Sequence, residues 1–520
     1  MSTSKRRRSL QCRPGTETLE GRQLLSTVIR GVDVDGDTWT LRLVGPGAFQ
    51  VVNQPGADGV TPVPLGQPGL IDTITFQGTN PAESRLIGAV QRAPGGDGRV
   101  FFENLISPVS APPGPGIGVG ILAIDMPDFW LGDTSPGDTS QVQGTISIPD
   151  GVVTLNFGGV DTTAFFGTDP AQSLPQNNRS DRFTVVLGLP TRVGTSIILD
   201  RVVTANQEGV GTDQQDTQDT VTFNVSGRLN VFQANSIEGD PTLDLGESGV
   251  FLGENLGGTT IISTAPQVAG SQVATGAIGR FRIGGNATNL SVQVSGLEAR
   301  LTNFFIGGET NKVSVSAQEG VRTALFGLGM DTVAIEAGQI EQLSANRGAV
   351  GSSVLVSQDA GSMAFGGDVI NSTILAGYAP AAGASGVPTA AAGGLMTVRV
   401  AGDVFDSIFA ASVQPFGGAF GSPNDLVIPS GYINAKVEGM IDNSLNPAVS
   451  PEAFDQAFFA ERVRLERGPV IPPAAPGAPY RPRLSPGRTP GVQGLSGGRP
   501  SHDFRAVQLF NARRNPVQGA

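Results

Sequence analysis

Leu290-Ser291-Val292-Gln293-Val294-Ser295-Gly296, Val313-Ser314-Val315-Ser316-Ala317, Val333-Ala334-Ile335-Glu336-Ala337, Val354-Leu355-Val356-Ser357 and Ile374-Leu375-Ala376-Gly377 are variants of one short run. Their first residues stand 23, 20, 21 and 20 positions apart. Alternation of apolar and small polar residues points one face of each run inward as a β-strand. A second series lies upstream of the runs: Phe281-Arg282-Ile283-Gly284-Gly285, Phe304-Phe305-Ile306-Gly307-Gly308 and the looser Leu325-Phe326-Gly327. This period is too short for a helical-pair repeat, and the leucine-rich consensus is missing. One such unit cannot bury its apolar face alone, but stacked units can. The pattern predicts an all-β chain folded as a parallel β-solenoid, right-handed-β-helix-like, with two or three short strands per coil. Gly and Asn at fixed offsets predict corners at positive φ, with Gly284-Gly285 and Gly307-Gly308 as corner residues. A β-sandwich of evenly spaced hairpins would give a similar rhythm; near-constant coil length favours the solenoid.

Asp368-Val369-Ile370-Asn371-Ser372-Thr373-Ile374 recurs as Asp403-Val404-Phe405-Asp406-Ser407-Ile408, with Ile374 and Ile408 34 residues apart. Ala, Gly and Pro between Tyr378 and Gly394 account for the excess as a loop thrown out of one coil. It carries no charged side chain and reads as a tolerated insertion.

Glycine supplies 73 and proline 37 of 520 residues, and aromatics only 6%. That composition fits thin coils and many turns. Charge is uneven. Residues 1–30 carry +5 and residues 462–520 carry +8, while the whole chain carries −12, so residues 31–461 hold −25. An acidic body argues against nucleic acid as its partner. It suits solubility, cation binding or contact with basic surfaces, and the basic tail predicts self-association with the acidic body of a neighbour. Cys12 is the lone cysteine, and the lone histidine, His502, falls in the Pro/Gly/Arg-rich C-terminal tail, away from the repeats. An internal disulfide, a Ser-His-Asp triad and a histidine-ligated metal are therefore excluded. No apolar run reaches transmembrane length; Ile117 to Leu131 is interrupted by Asp125, Pro127 and Asp128.

The first thirty residues are not an ordinary signal peptide, since Lys5-Arg6-Arg7-Arg8 has no apolar core after it. Instead the chain continues with Glu17-Thr18-Leu19-Glu20-Gly21-Arg22-Gln23-Leu24-Leu25-Ser26. This stretch resembles the N-terminal LEPR-XLL motif of large surface-type proteins of planctomycete bacteria. Leu19-Glu20, Arg22, Leu24-Leu25 and Ser26 match; Gly21 stands where the motif has Pro. The resemblance implies an export or sorting signal and an extracellular or cell-surface destination, without enzymatic activity.

Residues 31–260 read as an irregular β-rich region, either first coils of the solenoid or a small β domain capping it. Regular repeats occupy 261–446. A helix is predicted over 450–467, with Ser450 as N-cap and Pro451 at its first position. Phe454, Phe458 and Leu465 share one stripe of it, and it would cap the open end of the last coil. Residues 468–520 read as a disordered basic Pro/Gly/Arg tail.

Asp33-Val34-Asp35-Gly36-Asp37 invites calcium: carboxylates at alternate positions converge on a hard cation. Asp33, Asp35 and Asp37 are the candidate metal ligands; an acidic turn held by Asx-type hydrogen bonds explains the same residues. Asp213, Asp216 and Asp219 form a second, weaker candidate. No other cofactor is implied. Of the function classes, an exported structural or adhesive protein fits best, with cell-envelope polymers or other surface proteins as partners. The alternatives are a glycan- or envelope-polymer-binding module and a polysaccharide lyase or hydrolase on a β-helix. A lyase or hydrolase would need charged residues recurring on successive coils, and the alternating runs show none.

Overall fold

A computed structural model describes residues 27–55, 61–108, 120–132, 144–162, 182–188, 194–204, 206–207, 217–218, 220–226, 228–239, 259–265, 268–269, 272–273, 277–295, 299–379, 389–390, 394–414, 425–428, 431–443, 446 and 457–467. The sorting-type motif, Cys12, the aspartates Asp213, Asp216 and Asp219, the 468–520 tail and His502 lie outside the described residues. Within them the chain is all-β, with no helix. It is a parallel β-solenoid, as the repeat predicts.

Strands stack into ladders because each coil returns the chain to the same side. The first ladder runs through Arg85–Gln91, Ile121–Gly132, Val152–Asp161, Thr195–Val203, Leu229–Ala234 and Ile278–Ile283, and on to Tyr432–Val437 and Arg462–Arg467, all paired parallel. The second runs from Ile71–Gln77 through Thr220–Ser226, Thr259–Ala265 and Ala287–Val294 to Phe458–Ala460, also parallel. Irregular early coils and regular later ones therefore share ladders. Only the first strands differ. Thr27–Val32, Thr38–Val44 and Arg85–Gln91 pair antiparallel, as do Ala48–Asn53 and Ile71–Gln77. The short 33–37 turn allows the first antiparallel pair, whereas parallel neighbours need a crossover, here the rest of a coil.

Period-two alternation turns each ladder into inward columns. One column passes through Leu155, Ile197, Phe232, Phe281, Phe304, Ala324 and Leu343 in register. Its phenylalanines stack. Phe232 and Phe281 have ring centroids 5.1 Å apart, Phe281 and Phe304 5.0 Å, and Phe304 meets Phe326 at 5.7 Å. Burying each such ring contributes about 1.5–3 kcal/mol.

A third ladder is made of two-residue strands: Met330–Asp331, Ala349–Val350, Val369–Ile370, Val404–Phe405 and Ile441–Asp442. These are too short to display a period. One column of left-handed residues precedes the second-ladder runs, and on the later coils it forms the corner between the third ladder and the second. Asn289, Lys312, Thr332, Gly351, Asn371 and Asp406 all have φ between 47° and 56°. The paired glycines are not that corner: neither Gly307 nor Gly308 has positive φ. They allow close backbone approach instead, since a Cβ on Gly307 would lie 2.3 Å from the Gly284 carbonyl oxygen. Thr332 is β-branched and held at φ 51°, so the stack of neighbouring coils overrides local preference there.

Just past this corner runs a buried polar ladder. The Val333 amide donates to Ser352 Oγ at 3.1 Å, Ser352 N to Ser372 Oγ at 3.2 Å, Ser372 N to Ser407 Oγ at 3.0 Å, and Ser407 N to Asn443 Oδ1 at 2.6 Å. Each of these polar residues is at most 3% exposed. On these four coils a short polar side chain at one position satisfies an amide of the coil before it.

Two expectations are corrected. The predicted 450–467 helix is not formed in its described part: Phe458–Ala460 and Arg462–Arg467 are strands that complete the last coil. The apolar stripe there is satisfied by pairing with Phe409–Ala411 and Tyr432–Val437, and that tertiary pairing outweighs the local helix signals. Second, Ile374 pairs with Phe409, while Ile408 pairs with Thr373 and faces outward. Ile408 is nevertheless only 2% exposed. The insertion after Tyr378 is anchored at its base. Tyr378–Ala379 and Thr389–Ala390 form a small hairpin, and Val413–Gln414 with Leu426–Val427 form another. Tyr378, Ala390 and Val413 bury an outer apolar cluster with Leu375, Ile408, Ala410 and Phe459. The Tyr378 hydroxyl donates to the Val413 carbonyl at 2.5 Å.

Candidate functional site

The aspartates of the first turn meet a second turn. Asp33 to Asp37 join Thr27–Val32 to Thr38–Val44, and the latter pairs antiparallel with Arg85–Gln91, Thr38 facing Gln91. That register brings the Pro94-Gly95-Gly96-Asp97-Gly98 turn over the first one. Carboxylate oxygens of Asp35, Asp37 and Asp97 lie within 4.8 Å of one another. The sequence marks 94–98 only as a turn, so Asp97 is the member it does not reveal; Asp33 is beside the trio rather than in it.

Each carboxylate also holds backbone. Asp37 is fully buried and accepts from the Ala93 amide at 2.5 Å and the Gly98 amide at 2.6 Å. Asp35 accepts from the amides of Asp37 at 3.1 Å and Asp97 at 2.9 Å. Asp97 accepts from the Arg99 amide at 2.7 Å. The cluster is thus a clamp that ties the two turns together. Amide donors occupy one lone pair of an oxygen and leave others for a hard cation, so Asp35, Asp37 and Asp97 are the residues that could hold calcium. Among the described residues no Lys or Arg forms an ion pair with any of them.

Asp33 is 3% exposed, and its Oδ1 accepts from the Val34 amide at 2.7 Å. Burial is the main cause that raises its carboxyl to about 7; the Val34 bond opposes the shift, and Asp35, Asp97 and Asp37 add repulsion. The unfolded value is 3.8, so the folded state binds the extra proton between the two values. Its contribution to stability is therefore fully present below pH 4 and is lost as pH rises from about 4 to about 7. Asp33→Asn should remove this loss and raise stability on the order of 2–4 kcal/mol at pH 8, with little effect at pH 4. Thermal melts of both proteins across that range check it. Added calcium in the same melts reads the trio: a rise in Tm lost in Asp97→Asn indicates cation binding, and no rise leaves the clamp as its whole role.

Both tryptophans are unavailable as sugar platforms. Trp39 is fully buried and Trp130 is 3% exposed. Trp39 fills the space left by Gly31, where a Cβ would stand 2.2 Å from its ring. Arg99 lies over the Trp130 ring at 4.5 Å.

The chain matches no family model, no curated protein and no solved structure. No helix among the described residues is long and apolar enough to cross a membrane.

Proposed function

We propose that the protein is an exported structural or adhesive component of the cell surface, working as a rigid solenoid without catalytic activity. The observation that carries this reading is the outer face of the second ladder. Ser314, Ala334, Ser353 and Thr373 form one outward column in register, each at least partly exposed. Such a column of small, neutral side chains offers a flat, uniform surface rather than a convergent set of reacting groups. The LEPR-XLL-like stretch at Leu19 to Ser26 supports the destination. Fractionation of the native host, with intact mass of the recovered chain, tests the proposal. Recovery from the envelope or medium, shortened near Ser26, is the expected result; full-length protein in the cytoplasm overturns it. The second reading, a module that binds a glycan or other envelope polymer, is favoured by exposed arginines on the first ladder.

A further inference from the structure

Four consecutive strands of the first ladder, Leu229–Ala234, Ile278–Ile283, Arg300–Ile306 and Gly320–Phe326, contain no acidic residue. They carry Arg280, Arg282, Arg300 and Arg322, all exposed, and exposed Arg228 immediately precedes them. The sequence hides this wall, because the arginines fall at different offsets in strands separated by whole coils. Register places Arg280 beside Asn303 and Arg282 beside Phe305, and the next coil sets Thr323 and Leu325 next to those two. The Arg282 guanidinium stands 5.6 Å from the Phe305 ring centre. Arg300 and Arg322 reach Glu341 of the following strand at 3.9 and 3.3 Å. Among the described residues no ion pair engages Arg280 or Arg282. On the same coils the second ladder presents the partly exposed Ser314 and Ser316.

We propose that this arginine wall binds a linear, carboxylate-bearing polysaccharide. Charge complementarity names the class: Arg280 and Arg282, which pair with no acidic side chain among the described residues, stand out on a body of −25, and a guanidinium grips a carboxylate with two parallel hydrogen bonds. Coils repeat every ~4.8 Å, so the wall offers charged and neutral donors in rows. Asn303 and Thr323 suit sugar hydroxyls, and Phe305 gives an apolar ring edge to a sugar face. Duplex nucleic acid fits poorly, since its affinity rests on many neutralised phosphates and the rest of the body repels it. The inference rests on the polymer-binding reading and is independent of export; it is tested on purified protein, so its failure is separate from a failed localisation.

The experiment measures binding of the full chain to polygalacturonate, with dextran as neutral control and polyglutamate as acidic-peptide control. Retention by polygalacturonate and not by the other two is expected, weakening as salt rises. Arg280→Gln with Arg282→Gln should weaken it about tenfold or more, while Arg399→Gln, whose side chain pairs with Glu438 on a distant coil, should not. Both substituted side chains are exposed, and an unchanged melt confirms the fold. Absence of polygalacturonate binding, equal affinity of the double variant, or equal binding of polyglutamate overturns the proposal.

Discussion

Phe304→Ala should lower stability by about 3–5 kcal/mol, the range for emptying an aromatic site in a packed core. Phe304 is 1% exposed and lies between Phe281 and Phe326. Coils in a solenoid touch only their neighbours, so the cavity weakens the interfaces on both sides of its own coil. The backbone there is fixed by parallel pairing to the strands above and below, which limits collapse into the gap. Phe305→Ala, one residue along and facing outward, should cost less than about 1 kcal/mol. Urea denaturation of the two variants makes the comparison. Equal losses would mean that the inward column does not hold these coils together.

Ser372→Ala has the second large expected effect. Its Oγ accepts the Ser352 amide and donates to the Ile370 carbonyl at 2.9 Å. The Ser352 amide sits where water is excluded, so deleting the hydroxyl leaves a buried donor without an acceptor. That costs about 1–3 kcal/mol, more than the net value of an ordinary hydrogen bond. Ser353→Ala removes an exposed hydroxyl one coil away and should be nearly neutral. Chemical denaturation gives the difference, and amide exchange localises it: the Ser352 N–H should exchange faster in Ser372→Ala alone. An unchanged melt would show that the polar ladder is incidental to stability.

The strands with clean alternation, such as Val313 to Ala317, were legible because their period is the period of burial. The third ladder was not, since a pair such as Val369–Ile370 has no alternation to read. Its recurrence was visible in the Asp368 and Asp403 repeats, and the register holds through Ser372 and Ser407. It parted from the sequence alignment at Ile408, where an apolar residue faces outward beneath the Tyr378 hairpin. The helix at 450–467 failed for a related reason. Good caps and a helical stripe describe an isolated segment, but the strand edges of the coil before it were open and the segment paired with them. At the acidic turn, Asp33, Asp35 and Asp37 were legible as a group. Asp97 stands 62 residues beyond Asp35 and joins them only through strand pairing. The arginine wall needed the register as well.

One uninterrupted stack of coils joins the irregular first half to the regular second half. Hydrogen exchange of the full chain, read out by mass spectrometry, reports on that continuity strand by strand. The stack predicts slow exchange in the paired strands on both sides of the junction, from Thr195–Val203 through Leu229–Ala234 to Ile278–Ile283, with fast exchange confined to loops and to the end strands Thr27–Val32 and Arg462–Arg467. A band of fast exchange across Leu229–Ala234 and Ile278–Ile283, dividing two separately protected halves, would contradict it.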